Sequence, residues 1–155
     1  MSKIGGAMYK GTWKIGSTNF QGIAFKDGNV LSCGWAPKHD LGVVAYLVKP
    51  GILDGVWFEE QHTKLGKELL TGPAGATVSG MYIIKSGETP EGGKYGGSVD
   101  ISVYKSGVFG LTWHVGSHTF KGLGLRSKNF PMSNTDVLSA GFNDSGNPGV
   151  LQYII

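Results

Sequence analysis

The chain reads as an all-β protein. We expect an antiparallel meander of about ten to twelve short strands, closed or nearly closed into a barrel or folded as two packed sheets, with an internal duplication. Three observations predict this. First, Gly11-Thr12-Trp13-Lys14-Ile15-Gly16-Ser17-Thr18-Asn19-Phe20-Gln21-Gly22 returns a hundred positions later as Leu111-Thr112-Trp113-His114-Val115-Gly116-Ser117-His118-Thr119-Phe120-Lys121-Gly122. Second, apolar residues alternate with period two nearly everywhere, and Gly or β-branched residues interrupt every 3.6-residue period. Third, 27 of the 155 residues are Gly, without a collagen period, which suits many tight turns and closely approaching strands.

The first strand is expected over 6–15, with Tyr9, Gly11, Trp13 and Ile15 on one face and Lys10, Thr12 and Lys14 on the other. Gly16-Ser17 forms a two-residue turn, and Gly in its first central position is the type II′ signature. That turn sets Ile15 opposite Thr18, Lys14 opposite Asn19, Trp13 opposite Phe20, Gly11 opposite Gly22 and Tyr9 opposite Ala24. The Trp13–Phe20 pair should contribute up to about 1 kcal/mol beyond its burial. The facing glycines leave room for a side chain of another sheet, or for a ligand. Further strands follow over 30–35, 42–48 and 53–59, separated by Lys26-Asp27-Gly28-Asn29, Pro37-Lys38-His39-Asp40 and Lys49-Pro50-Gly51. The stretch 63–70 carries the only plausible helical turn, which Gly66 weakens, and 66–70 is the alternative sixth strand. Beyond it, 77–84 and 97–104 read as strands around a flexible loop at 87–93.

The repeat continues past the hairpin. Leu31-Ser32-Cys33-Gly34-Trp35 returns as Leu138-Ser139-Ala140-Gly141-Phe142, and 42–48 returns as 149–155. The extra residues fall in a loop over 128–135. The expected organisation is a single domain, 1–155, of two pseudo-repeats at about 1–72 and 77–155, joined at Thr71-Gly72-Pro73-Ala74-Gly75, in which each half supplies strands the other lacks.

Composition removes several functions. Net charge is +3, only 16% of residues are charged, and Arg126 is the single Arg. No basic stripe exists for phosphates, so nucleic acid is not an expected partner. Cys33 is the lone cysteine, which rules out an intramolecular disulfide and a cysteine-rich zinc site. No apolar run is long enough for a membrane helix or reads as a signal peptide, so no membrane association and a cytoplasmic location are expected. Nucleophile-elbow, P-loop and dinucleotide fingerprints are absent, and no cofactor is expected.

The chain resembles small bacterial proteins built from Gly-rich, aromatic β-repeats. The residues that carry the likeness are Tyr95-Gly97-Val99-Ile101, Trp13 to Gly22, Leu31 to Trp35, Gly42 to Tyr46, and Leu53 to Trp57. They span most of the chain and are structural motifs with no activity to carry over. Gly11-Thr12-Trp13 followed by Gly16-Ser17-Thr18 also looks like the opening of avidin- and calycin-type barrels, a likeness of shape alone.

Few residues stand out for chemistry. His114 and His118 straddle a turn and should point to opposite faces, so no shared metal is expected. His114 shares its face with Thr112, Thr119 and Lys121, as Lys14 does with Thr12, Asn19 and Gln21. Inside a barrel, Lys14, His114 and Lys121 would bind a ligand, and His114 could move a proton. The expectation is solvent, because Trp13 and Phe20 claim the other face for the core. Glu59, Glu60 and His62 gather at a turn as an acid/base candidate, weighed against turns being polar for solvation alone. His39-Asp40 is a similar pair. Trp35 and Trp57 could wall a pocket, although core anchoring is the commoner use of such tryptophans.

The leading expectation is small-molecule binding in a barrel cavity. Its rivals are a small barrel enzyme of the lyase, isomerase or cyclase type, and a structural or protein-interaction module. A cavity beside the Trp hairpins favours the first two, and a titratable group inside it favours the enzyme. The apolar strand at 149–155 is expected to contribute to a homodimer.

Overall fold

In the computed structural model, residues 1–36, 40–105, 107–129, 134–144 and 148–155 are described. His39, and with it the His39-Asp40 candidate pair, lies outside the described residues, as does the middle of the 128–135 loop. The protein is all-β: β1 Ser2–Gly5, β2 Met8–Ile15, β3 Thr18–Asp27, β4 Val30–Ala36, β5 Gly42–Lys49, β6 Ile52–Glu59, β7 Gly66–Thr71, β8 Gly80–Glu88, β9 Lys94–Lys105, β10 Val108–Val115, β11 His118–Arg126, β12 Val137–Asn143 and β13 Gly149–Ile154. A 3₁₀ turn at Ser127–Asn129 is the one helical element among the described residues. No helix among them is long and apolar enough to cross a membrane.

The two architectures offered as alternatives coexist. Strands β5 to β12 close an antiparallel barrel, β12 pairing back onto β5, and β1-β2-β3-β4-β13 form a separate five-stranded sheet. The hairpin registers are those the turns dictate: Trp13 faces Phe20 and Gly11 faces Gly22, while Trp113 faces Phe120 and Leu111 faces Gly122. Gly16 and Gly116 adopt φ of 62° and 59° while their serines stay at negative φ, as a type II′ turn requires.

Stretches of like sequence occupy like positions: β2-β3-β4-β13 pair in the order of β10-β11-β12-β5. The two layers meet on a near-symmetric contact. Ser32 Oγ and Ser139 Oγ lie 2.7 Å apart, each at the same place in its own strand. Gly34 and Gly141 face one another there so closely that a Cβ on either would lie 3.4 Å from the other's Cα. A Cβ on Gly141 would also meet Gly149 O at 2.2 Å, so glycine is required for the sheets to approach. Around this contact Met8, Ile23, Phe25, Val30 and Ala36 of the sheet bury against Val43, Ala45, Phe58 and Val137 on the barrel's outer wall.

Several expectations are corrected. The strand expected over 6–15 is β2, which starts at Met8, and an additional strand, β1, precedes it because Gly6, at φ 51°, turns β1 onto β2. The 63–70 stretch forms no helical turn; its second half is β7, held on both edges by β6 and β8. Residues 71–75 lie inside the barrel's strand order rather than at a boundary between the two sheets. They leave β7 and lead to β8 within one barrel, which the hydrogen bond from Gly72 N to Gly51 O (3.0 Å) helps to close. The 87–93 stretch is an extension of β8 and a tight turn, closed by Thr89 N to Gly93 O (2.8 Å) and Gly92 N to Thr89 O (2.9 Å). The space beside the facing glycines is filled by the hairpin's own tryptophan: the Trp13 ring lies over Gly11 and Gly22, and the Trp113 ring over Gly122.

The two sheets differ in extent. β13 extends the sheet, but the sheet stops at five strands where the barrel has eight. Trp113 is therefore enclosed at 5% exposure, while Trp13 and Phe20 are only half-buried on an uncovered face.

Candidate functional site

The barrel interior is filled at one end and hollow at the other. Leu53, Leu70, Val78, Tyr82, Ile84, Val99, Ile101, Phe109, Leu111 and Leu138 pack the filled part. At the opposite end lies a cavity of about 280 Å³. Its walls are Val44, Trp57, Trp113, Val115, Phe120 and Phe142, with Tyr46, Tyr95 and Glu68 as polar members, and Glu59, His62, Thr89, Pro90 and Glu91 at the mouth.

Alternation explains the lining. In β7, Gly66, Glu68 and Leu70 are buried and Lys67 is exposed, so the Gly–Glu–Leu face looks inward. In β6, Trp57 and Glu59 share the inner face with Leu53 and Gly55. β5 contributes Val44 and Tyr46, and β10 contributes Trp113 and Val115. Glycines opposite the rings let them lie flat: Trp57 over Gly66, Phe142 over Gly42 and Tyr46 over Gly55. The rings continue across strands, with Trp113 and Phe142 centroids 5.4 Å apart and Phe120 edge-on to Phe142 at 6.1 Å.

Glu68 is the centre of this site. It is 5% exposed, and both its oxygens accept hydrogen bonds. Tyr46 Oη donates to Oε1, Trp113 Nε1 donates to Oε1 at 3.3 Å, and Tyr95 Oη donates to Oε2 at 2.9 Å. Trp113 Nε1 also donates to Tyr46 Oη at 3.0 Å, which closes a three-residue network over the floor. Burial pushes the Glu68 carboxyl above its usual value, and the donors from Tyr46, Tyr95 and Trp113 pull against that shift. Tyr46 and Tyr95 are both raised, first by burial and then by the adjacent Glu68 charge. The Trp57 indole N–H favours the ionised form of Tyr95. It nevertheless reaches no acceptor at full hydrogen-bond geometry among the described residues, although Nε1 is buried.

At the mouth His62 bridges two carboxylates. Its Nε2 lies 3.2 Å from Glu59 Oε2 and its Nδ1 lies 2.7 Å from Glu91 Oε1. This ties the β6–β7 connection to the β8–β9 turn across the opening. Burial raises the Glu59 carboxyl, and the facing His62 works against the shift. No group of three or more His, Cys, Asp and Glu among the described residues could hold a metal ion.

The sequence candidates separate cleanly. Glu59 and His62 of the turn cluster and Trp57 of the tryptophan candidates all line the cavity. Glu60 is half-buried beside them but does not line it. His114, Lys14 and Lys121 are exposed and none of them lines the cavity, and His114 Nε2 meets Asp100 Oδ2, at 3.5 Å, on the neighbouring strand. They are not part of the site, because the period-two pleat that sends Trp113 inward sends His114 out. Trp35 lies on the five-stranded sheet, over Gly149 and edge-on to Phe20 at 5.2 Å. Glu68, Tyr46 and Tyr95 escape the sequence reading. The available signal was one carboxylate in phase with Gly66 and Leu70 on an otherwise apolar face.

Arranged in this way, the site can hold a small molecule against aromatic walls and offer it one buried carboxyl. Comparison with family models, curated protein sequences and solved structures finds no match to the chain.

Proposed function

We propose that the protein binds a small, largely apolar molecule in the hollow end of its barrel. One observation carries this reading: an aromatic-walled cavity of about 280 Å³ placed over a buried carboxyl, Glu68, held by three hydrogen-bond donors. A structural barrel of this size would fill that volume with side chains. The volume is near the lower edge of ligand pockets and about twice that of a cavity that takes one benzene, so a ligand of about two rings fits.

The test is binding of one- and two-ring probes followed by NMR at the four Trp indole N–H resonances. Shifts confined to Trp57 and Trp113, and abolished when Val44→Trp fills the cavity, are expected. Shifts at Trp13 and Trp35 alone, or none with any probe, overturn the reading.

A second reading, a barrel enzyme of the lyase, isomerase or cyclase type, rests on a protonatable carboxyl beside two phenols. Glu68 would be the proton donor there. Recovery of every bound probe unchanged after long incubation removes it.

A further inference from the structure

We propose that the barrel cavity takes an organic cation: a molecule of about two rings carrying a protonated amine or a comparable positive head. The proposal rests on the cavity being a ligand site. Three carboxylates, Glu59, Glu68 and Glu91, line it. The chain carries 14 Lys and Arg and a net charge of +3, yet among the described residues no Lys or Arg lines the cavity, and His62 is the one basic group there. A local negative site on a positive protein attracts cations and repels anions. The walls agree, because Trp57, Tyr95, Trp113, Phe120 and Phe142 present ring surfaces whose negative faces attract a positive charge. A carboxylate has about four lone-pair sites. Tyr46, Trp113 and Tyr95 occupy three of those on Glu68, which leaves one for an N–H donor from the ligand. An anion would meet the buried Glu68 on the floor and Glu59 and Glu91 at the mouth. A positive head favours the ionised forms of Glu68 and Glu59, which burial opposes, so binding releases protons and strengthens as pH rises.

The experiment uses three probes on one frame: naphthylmethylammonium, naphthylmethanol and naphthoate. Each is titrated calorimetrically into the full chain in two buffers of different ionisation heat. The ammonium should bind about tenfold more tightly than the alcohol, with proton release, and naphthoate should not bind. Glu68→Gln should bring the ammonium-to-alcohol ratio close to one. If that variant unfolds, Glu91→Gln at the exposed rim should still lower the ratio by about twofold. Equal affinity for ammonium and alcohol, or tighter naphthoate, overturns the cation and leaves the pocket standing. Failure of all three probes overturns both.

A different observation concerns the five-stranded sheet. We infer that a second copy of the chain covers its open face. Trp13, Phe20 and Trp35 are half-buried there, while Ile15 and Tyr153 are 68% and 41% exposed. The matching residues Trp113, Phe120, Phe142, Val115 and Tyr46 all face the barrel cavity, under β6, β7 and β8. Every neighbouring pair in the sheet is antiparallel and the strand number is odd, so the edge strands β1 and β13 run in the same direction. A two-fold axis across the strands sets β13 antiparallel to the partner's β13, and β1 antiparallel to the partner's β1. Two copies of the sheet then close one antiparallel barrel without free edges. Sedimentation should give a dimer, which Ile15→Lys with Tyr153→Glu converts to a folded monomer and Lys14→Glu, on the other face, does not. A monomer at about 100 µM, where a modest apolar interface would be saturated, overturns the inference.

Discussion

Replacing Tyr46 by Phe isolates the interaction on which the site turns. The ring is fully buried, and the change deletes only the hydroxyl that donates to Glu68 Oε1 and accepts from Trp113 Nε1. Trp113 keeps Glu68 as an acceptor at 3.3 Å, so its N–H is not stranded. The cost is therefore one hydrogen bond to an ionisable group, about 1.5–3 kcal/mol when Glu68 is charged and about 1 kcal/mol when it is neutral. Glu68 has a raised carboxyl pKa in the folded state, so the stability this gives is complete below the ordinary carboxyl value and is lost as pH rises through the folded value. Tyr46 is one of the donors holding that value down, so its removal raises the folded value and extends the loss to higher pH. Urea unfolding of wild type and Tyr46→Phe should thus differ by about 1 kcal/mol near pH 4 and by about 2–3 kcal/mol near pH 8. The alkaline difference corresponds to roughly 4–12 °C in melting temperature for a chain of this size. A pH-independent difference below about 0.5 kcal/mol would refute the claim that Tyr46 stabilises a buried carboxylate.

Other outcomes follow from the same geometry. Cys33 is fully buried and its thiol is pushed up to about 12 by desolvation, so a thiol reagent should label it only after denaturation. Fast labelling of native protein would contradict its placement. Gly122→Ala puts a methyl 2.5 Å from Gly141 O and 2.9 Å from the Trp113 ring, and should cost about 1–3 kcal/mol while shifting the Trp113 indole resonance. His114→Ala removes an exposed ring whose ion-pair partner is a surface Asp100, and should change neither probe binding nor stability by more than about 0.5 kcal/mol.

What sequence revealed was local. A Gly-Ser turn with alternating flanks specifies register, and both hairpins pair residue for residue as the turn demands. Closure into a barrel was expected from the unprotected strand edges, but the pair that closes it was not legible, because β12 meeting β5 depends on contacts about ninety to a hundred residues apart that no turn encodes. Trp13 and Trp113 show the consequence. The same motif makes a half-exposed ring in one place and a cavity wall in the other, and the difference is whether β6, β7 and β8 pass over it. Part of the lining was visible, Glu59 and His62 as members of a polar turn and Trp57 as one tryptophan that could wall a pocket. The cavity floor was not. Glu68 sits in a stretch that also reads as a weak helical turn, and its partners Tyr46 and Tyr95 come from strands 22 and 27 residues away. His114 attracted notice for its residue type, and the pleat places it outside.

The most direct test is the titration of the Glu68 carboxyl carbon by NMR, with and without naphthylmethylammonium. The account predicts a carboxyl that titrates above the usual glutamate range in the free protein and moves down when the cation binds, with the Trp113 indole resonance shifting in step. A Glu68 that titrates in the ordinary range and ignores the probe would contradict both the buried carboxyl and the ligand site built around it.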